Sequence, residues 1–195
     1  DAQTSTAADL NTINEKTTGT IDASAITVLA SDNITNIQTL LTAGNDAEQF
    51  TATSFGELTG VTVSDETLDG EKLADAIDQA NLLTEDTSVV FTISAATTIE
   101  GSEDDFTALL TDDGNEQINI ENQNISVSGT ISVETANDLD EATGGTITAS
   151  IDTTESVDTL KTLTGTTHAY TIVIAAGDAQ TSTAADLNTI NEKTT

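Results

Sequence analysis

The stretch DAQTSTAADLNTINEKTT fills residues 1–18 and returns unchanged as residues 178–195. A match of that length does not arise by chance. It marks residues 1–177 as one large tandem period and residues 178–195 as the start of the next, standing as an end cap or an assembly segment. Identity this complete follows from recent duplication or from deliberate design. Tandem arrays span distance or present surface and seldom carry chemistry, because each unit exists to bury its face against a neighbour.

A smaller unit lies within the period. Leu10 and Ile13 stand three residues apart, a spacing that puts two side chains on one side of a helix. The pair recurs as Ile34/Ile37, Leu73/Ala76, Phe106/Leu109, Leu139/Ala142, Val157/Leu160 and Leu187/Ile190. A capping residue stands four positions ahead of six of them, at Thr6, Asp69, Ser102, Thr135, Thr153 and Thr183, and Ser31 stands three ahead of Ile34. Such side chains accept a hydrogen bond from an orphan amide of the first turn. Gly19, Gly44, Gly114, Gly144 and Gly165 are placed to end helices in the left-handed conformation. The stretch after Leu73 lacks such a glycine and predicts a helix running on to Leu83.

Strand-like segments follow each stop: TIDAS (20–24), QFTATS (49–54), VVFTIS (89–94), QINIEN (117–122), TITAS (146–150) and AYTIVIAA (169–176). Most alternate apolar residues with Thr, Asp or Ser, the mark of a strand with one buried face. AITVLAS (25–31), GVTVS (60–64) and NISVSGTISV (124–133) add a second strand to some units. The expected fold is therefore an α/β repeat solenoid of about six coils, each of about 30 residues, a short helix with one or two short strands in parallel sheet. The expected anchors are Leu10, Phe106, Leu139 and Leu187 on helices and Ile21, Phe91 and Ile147 on strands. A string of immunoglobulin-like sandwiches is the runner-up, and it leaves the capped helical segments unexplained.

Composition narrows the function classes. Thirty-four acidic residues face four lysines and no arginine, for a net charge of −30. Such a chain has nothing with which to neutralise phosphates, which excludes nucleic acid, and it is repelled by anionic membrane surfaces. No apolar run approaches the roughly 18 residues of a membrane-spanning helix, so no membrane insertion is expected. Without cysteine there is no disulfide or thiolate site. With 3% aromatics, the core must come from Leu, Ile, Val, Ala and the methyl groups of Thr.

The carboxylates have two readings. One is a solvated, aggregation-resistant surface. The other is Ca²⁺, whose preferred ligands are such oxygens; the clusters SDN (31–33), SDE (64–66) and EDD (103–105) supply Asp32, Asp65, Glu66, Asp104 and Asp105 as candidate metal ligands. No other cofactor is implied. In SEDD (102–105), Ser102 also reads as a cap with acids complementing the helix dipole. TDDGNE (111–116) lacks the ligand spacing of an EF-hand. His168, the single histidine, stands at a strand entry and reads as an exposed or edge residue. Tyr170 reads as a core or rim aromatic. Alternating Thr in TAT (51–53) and TIT (146–148) evokes an ice-binding face, against which stand the unequal strand lengths.

The strings TAADLNTINEKTTGTIDASAIT (6–27), TANDLDEATGGTITASI (135–151) and LTGTT (163–167) resemble the threonine- and aspartate-rich repeats of giant bacterial cell-surface proteins, of the marine cyanobacterial and adhesin-like kind. The resemblance implies an extracellular, cell-surface location, a long stalk or surface array, and no enzyme activity. It carries no binding residues. The expected function is thus a structural repeat of a stalk, surface layer or filament, joined end to end with itself. The alternative is a Ca²⁺-dependent adhesin module that binds a surface ligand through its acidic face.

Overall fold

The fold is described from a computed structural model covering residues 3–84, 89–179 and 181–195. Among these residues lie nine strands: β1 (Gln3–Ser5), β2 (Ile26–Asp32), β3 (Gly60–Val63), β4 (Thr67–Asp69), β5 (Val90–Thr92), β6 (Thr98–Gly101), β7 (Asn124–Ile131), β8 (Ile147–Ile151) and β9 (Ala169–Thr171). Eight helices accompany them: α1 (Ala7–Lys16), α2 (Ile34–Gly44), α3 (Gly70–Thr84), α4 (Glu103–Gly114), α5 (Val133–Ala142), α6 (Val157–Leu160), α7 (Ala176–Ala179) and α8 (Ala184–Asn191). The chain is an α/β fold with parallel sheets, divided into two compact units. Residues 1–96 with 111–119 form the first, and residues 97–110 with 120–195 the second.

In the first unit the strands run β1-β2-β3-β5, every neighbour parallel. The helices between them follow the same order, α1 packing on α2 and α2 on α3. In the second unit β6-β7-β8-β9 are likewise parallel and consecutive. Parallel pairing across β1-β2-β3-β5 and β6-β7-β8-β9 rules out the sandwich alternative, whose sheets are antiparallel. Spacing is uneven: Val28 pairs with Gly60, whereas Thr148 pairs with Ala169. Both cores are mainly aliphatic, with Phe50, Phe55 and Phe91 buried in the first and Phe106 in the second. Leu29, Ile37, Leu40, Leu41, Leu73 and Ile77 are fully buried in the first unit, and Ile99, Phe106, Leu139 and Ile147 in the second.

Local structure departs from the sequence reading in definite ways. Thr6 and Thr183 cap α1 and α8 as expected, Asp69 accepts from the Lys72 amide, and Ser102 and Asp105 bond reciprocally at the start of α4. The caps of α2, α5 and α6, however, are Asn33, Ser132 and Ser156, not Ser31, Thr135 and Thr153. In α5 the shift follows from Val133 and Ala136, both buried, which extend the helix a turn earlier. Helix α3 runs to Thr84, past Leu83 as predicted.

Of the five stop glycines, only Gly165 adopts a positive φ, at 69°. Gly44 has another purpose: a β-carbon there would stand 3.0 Å from the ring of Phe55. Phe55, itself at φ 62°, packs on Phe50 with ring centroids 5.3 Å apart. Phe50 belongs to QFTATS, expected to be a strand, and the segment is instead a turn touching Ile21 through one isolated bridge. TIDAS and QINIEN are also not strands. Gln117, Ile118 and Ile120 are buried nonetheless, so their alternation reports packing without a ladder.

Candidate functional site: the duplicated segment and its two seats

The two copies of the repeated segment have the same sequence and opposite burial. In the first copy, Ala7 and Leu10 are buried and Ala8, Asn11 and Asn14 half-buried, while Asp9, Ile13, Lys16 and Thr17 are exposed. In the second copy, Ala184, Ala185, Leu187, Asn188 and Asn191 are exposed, while Asp186, Lys193 and Thr194 are half-buried and Ile190 is buried. Leu10 is 7% exposed and its twin Leu187 43%; Ile13 is 51% exposed and its twin Ile190 5%. The expectation of Leu187 as a core anchor is therefore corrected. At 3.6 residues per turn, positions 7, 8, 10, 11 and 14 form one side of a helix and 9, 13, 16 and 17 the other. Each copy covers one side only.

The first copy sits on a front seat made by β2 and α2. β1 pairs in parallel with β2. The Ala8 amide donates to the Asp32 carboxylate at 2.7 Å, the Asn11 side-chain amide to the Asn36 carbonyl at 3.0 Å, and that of Asn14 to Gln49 at 2.6 Å. The second copy sits on a rear seat made by α6 and β9. Asp178 accepts from the Val157 amide at 3.3 Å, and Asp186 takes Lys161 at 2.8 Å. The Tyr170 amide donates to the Thr194 hydroxyl, and the Thr195 amide to the His168 carbonyl. Lys161 is held between Asp158 and Asp186, which raise its ammonium pKa, while the bonds from Lys161 and Thr183 hold the Asp186 carboxyl well below its ordinary value. Asp9, the twin of Asp186, lies exposed on the open side of the first copy.

The copies also differ in their opening residues. Thr4 and Ser5 are in β1, whereas Thr181 and Ser182 form a turn in which Ser182 donates to the Asp178 carbonyl. A strand of this length forms only against a partner. β2 supplies one to the first copy, and among the described residues no strand pairs with Thr181 and Ser182.

Much of the acidic charge has a local use. Four times a carboxylate from one coil accepts from a first-turn amide of the preceding helix: Asp32 from Ala8, Asp65 from Ile34, Glu155 from Val133 and Asp178 from Val157. Glu103 acts in the other direction, accepting from the Ser132 amide and the Thr135 hydroxyl. Burial lifts the Glu103 pKa, but these two donors outweigh it and hold the group below its ordinary value. Helix N-termini carry partial positive charge and unpaired amides, so carboxylates are stabilised there.

The proposed metal ligands are thus dispersed. Asp32 and Asp65 serve separate helix starts in the first unit. Asp105 accepts from the backbone and hydroxyl of Ser102, while Glu66 and Asp104 are exposed. Among the described residues no group of three or more His, Asp or Glu side chains is placed to hold a metal ion.

His168 is buried, against the expectation of an exposed or edge residue. Its Nδ1 accepts from the Ile147 amide at 3.1 Å, which leaves the proton on Nε2 to donate to Asp140 at 2.6 Å. With both ring nitrogens engaged, neither faces a nucleophile, and the pair lacks the geometry of a triad. Gly165 closes over it, where any β-carbon would collide with the imidazole. Burial raises the Asp140 pKa, and the bonds from His168 and Thr164 more than reverse that shift. Tyr170 packs beside the imidazole at 5.3 Å between ring centroids, buried as expected of a core aromatic. In the first unit an open depression of about 540 Å³ borders Phe50, Leu83 and Glu57. Its lining carries a single ionisable group and no convergent set of polar side chains.

Comparison of the chain with protein-family models, curated proteins and solved structures finds no match. Among the described residues no helix is long and apolar enough to cross a membrane. The functional reading therefore rests on the two seats.

Proposed function

We propose that the chain is one period of a structural array, a solenoid of helix–strand coils in which each period continues directly into the next. The observation that carries this reading is the inverted burial of the two copies. The side of the segment left open at residues 184–191, in the second copy, is the side that β2 and α2 cover at residues 7–14 of the first. A segment with a coil on each side buries both Leu10-type and Ile13-type residues, so the sequence is matched to the interior of an array and only half used at either end. Continuation of the array also supplies Thr181 and Ser182 with the strand partner that Thr4 and Ser5 already have.

An array of this kind is a stalk, surface layer or filament of an extracellular cell-surface protein, without enzymatic activity and joined end to end. The high negative charge suits that setting, keeping long repetitive chains apart in solution. The test is a chain extended by a full second period. Leu187→Asp leaves the stability of the 195-residue chain nearly unchanged, since Leu187 is solvated there. In the extended chain the same substitution lowers the urea midpoint markedly, because the following coil now buries the position. Equal, small effects in both chains overturn the array reading.

A further inference from the structure

We infer that the front seat on β2 and α2 is an acceptor site for a second copy of this chain, and that residues 1–18 are its built-in competitor. The donor is the duplicated segment at residues 178–195 of another molecule. This inference rests on the array reading and extends it from covalent continuation to exchange between separate chains.

The argument is one of identity and geometry. Everything the front seat grips in the first copy exists in the second: Ala8, Leu10, Asn11 and Asn14 have the twins Ala185, Leu187, Asn188 and Asn191. Those four twins are exposed while α8 remains on its own rear seat. One second copy can therefore hold the rear seat of its own chain with Asp186, Ile190 and Thr194 and, at once, the front seat of another with Leu187, Asn188 and Asn191. Asp32 of the acceptor then takes the Ala185 amide as it takes that of Ala8. Exchange swaps one set of contacts for an identical set, so the outcome depends on concentration alone. The tethered first copy is present at a high effective concentration and keeps the seat in dilute solution. Contacts of this head-to-tail kind are heterologous, so they propagate from one chain to the next.

The experiment weakens the competitor in the full-length chain. Leu10→Asp expels the first copy from its seat and leaves the second copy intact. In sedimentation velocity over a concentration series, the wild-type chain remains a monomer and Leu10→Asp grows into a ladder of head-to-tail species. Adding Leu187→Asp to it restores the monomer. The free peptide DAQTSTAADLNTINEKTT stops growth at low molar excess, as does the peptide with Ile13→Asp; the peptide with Leu10→Asp does not. If Leu10→Asp fails to fold by circular dichroism, Leu10→Ala takes its place, read as labelled-peptide incorporation at least tenfold faster than into wild type. A folded variant that binds none of the peptides, or one whose growth persists with Leu187→Asp, overturns the inference. The extended-chain test above involves no exchange, so the array reading stands or falls separately.

Discussion

Asp112, in the last turn of α4, shows at the scale of one residue what this acidic chain tolerates. Only 9% of it is exposed, and burial, with the nearby Asp78 carboxylate, pushes its pKa up to about 6. A folded-state pKa above the unfolded value means that the native state binds the extra proton. Stability from this group is therefore present at low pH and is lost as pH rises from about 4 through about 6. At pH 7 the buried charge costs about 1–2 kcal/mol, less than the whole shift because solvent reaches part of the group. Asp112→Asn should raise the urea midpoint at pH 7.5 and have little effect at pH 4. A gain of the same size at both pH values would remove charge burial as the cause. Asp32 and Asp65 show the opposite design. Each carboxylate has a helix N-terminus to serve, and serves it across a coil boundary. The recurrence of Ser-Asp before helices was visible in the sequence, but the amide that receives each carboxylate belongs to a coil tens of residues away. Sequence spacing alone could not distinguish that role from metal ligation. His168 was misread for the same reason, since Asp140 and the Ile147 amide reach it from other elements.

At the scale of elements, two identical helices provide an internal control that few proteins offer. Leu10→Ala removes buried methyl groups and should cost about 2–3 kcal/mol. Leu187→Ala, the same change in the same sequence, should cost no more than about 0.5 kcal/mol because the side chain is solvated. The order inverts one turn on. Ile190→Ala is the costly member of its pair and Ile13→Ala the mild one, because the rear seat covers Ile190 and nothing covers Ile13. Urea unfolding of the four variants reads all of this directly, and equal costs within either pair would refute the assignment of faces. The helices themselves were legible: three-residue apolar spacing with a capping residue ahead located α1 to α6 and α8, since these signals act within one turn. Strands were legible only where a partner exists. TITAS and GVTVS alternate and form strands, while QINIEN alternates and forms none. Strand formation depends on backbone groups supplied by other coils, and the single-chain pattern carries no record of them. The same dependence makes residues 4–5 a strand and residues 181–182 a turn.

At the scale of the whole molecule, the net charge of −30 opposes folding through self-repulsion, and the question is what relieves it. Carboxylates bonded to helix amides are partly compensated, and Asp69, Asp158 and Asp186 have lysine partners. Exposed acids such as Asp104 and Asp78 are screened from like charges by solvent and counterions. Screening lengths fall from about 30 Å at 0.01 M salt to about 3 Å at 1 M, so added NaCl should stabilise the chain progressively. For a domain of this size each ~1 kcal/mol gained moves the melting temperature by about 2–4 °C. A specific cation site behaves differently: it stabilises in proportion to the logarithm of ligand above its dissociation constant, at concentrations too low to screen. Because the five acids first considered as ligands are dispersed, millimolar CaCl₂ should raise the melting temperature no more than NaCl of equal ionic strength. The measurement is a pair of thermal melts in chelator-treated buffer, one per salt. A rise that saturates in micromolar Ca²⁺ would sink this expectation and restore the calcium-dependent adhesin as the better account of the acidic surface.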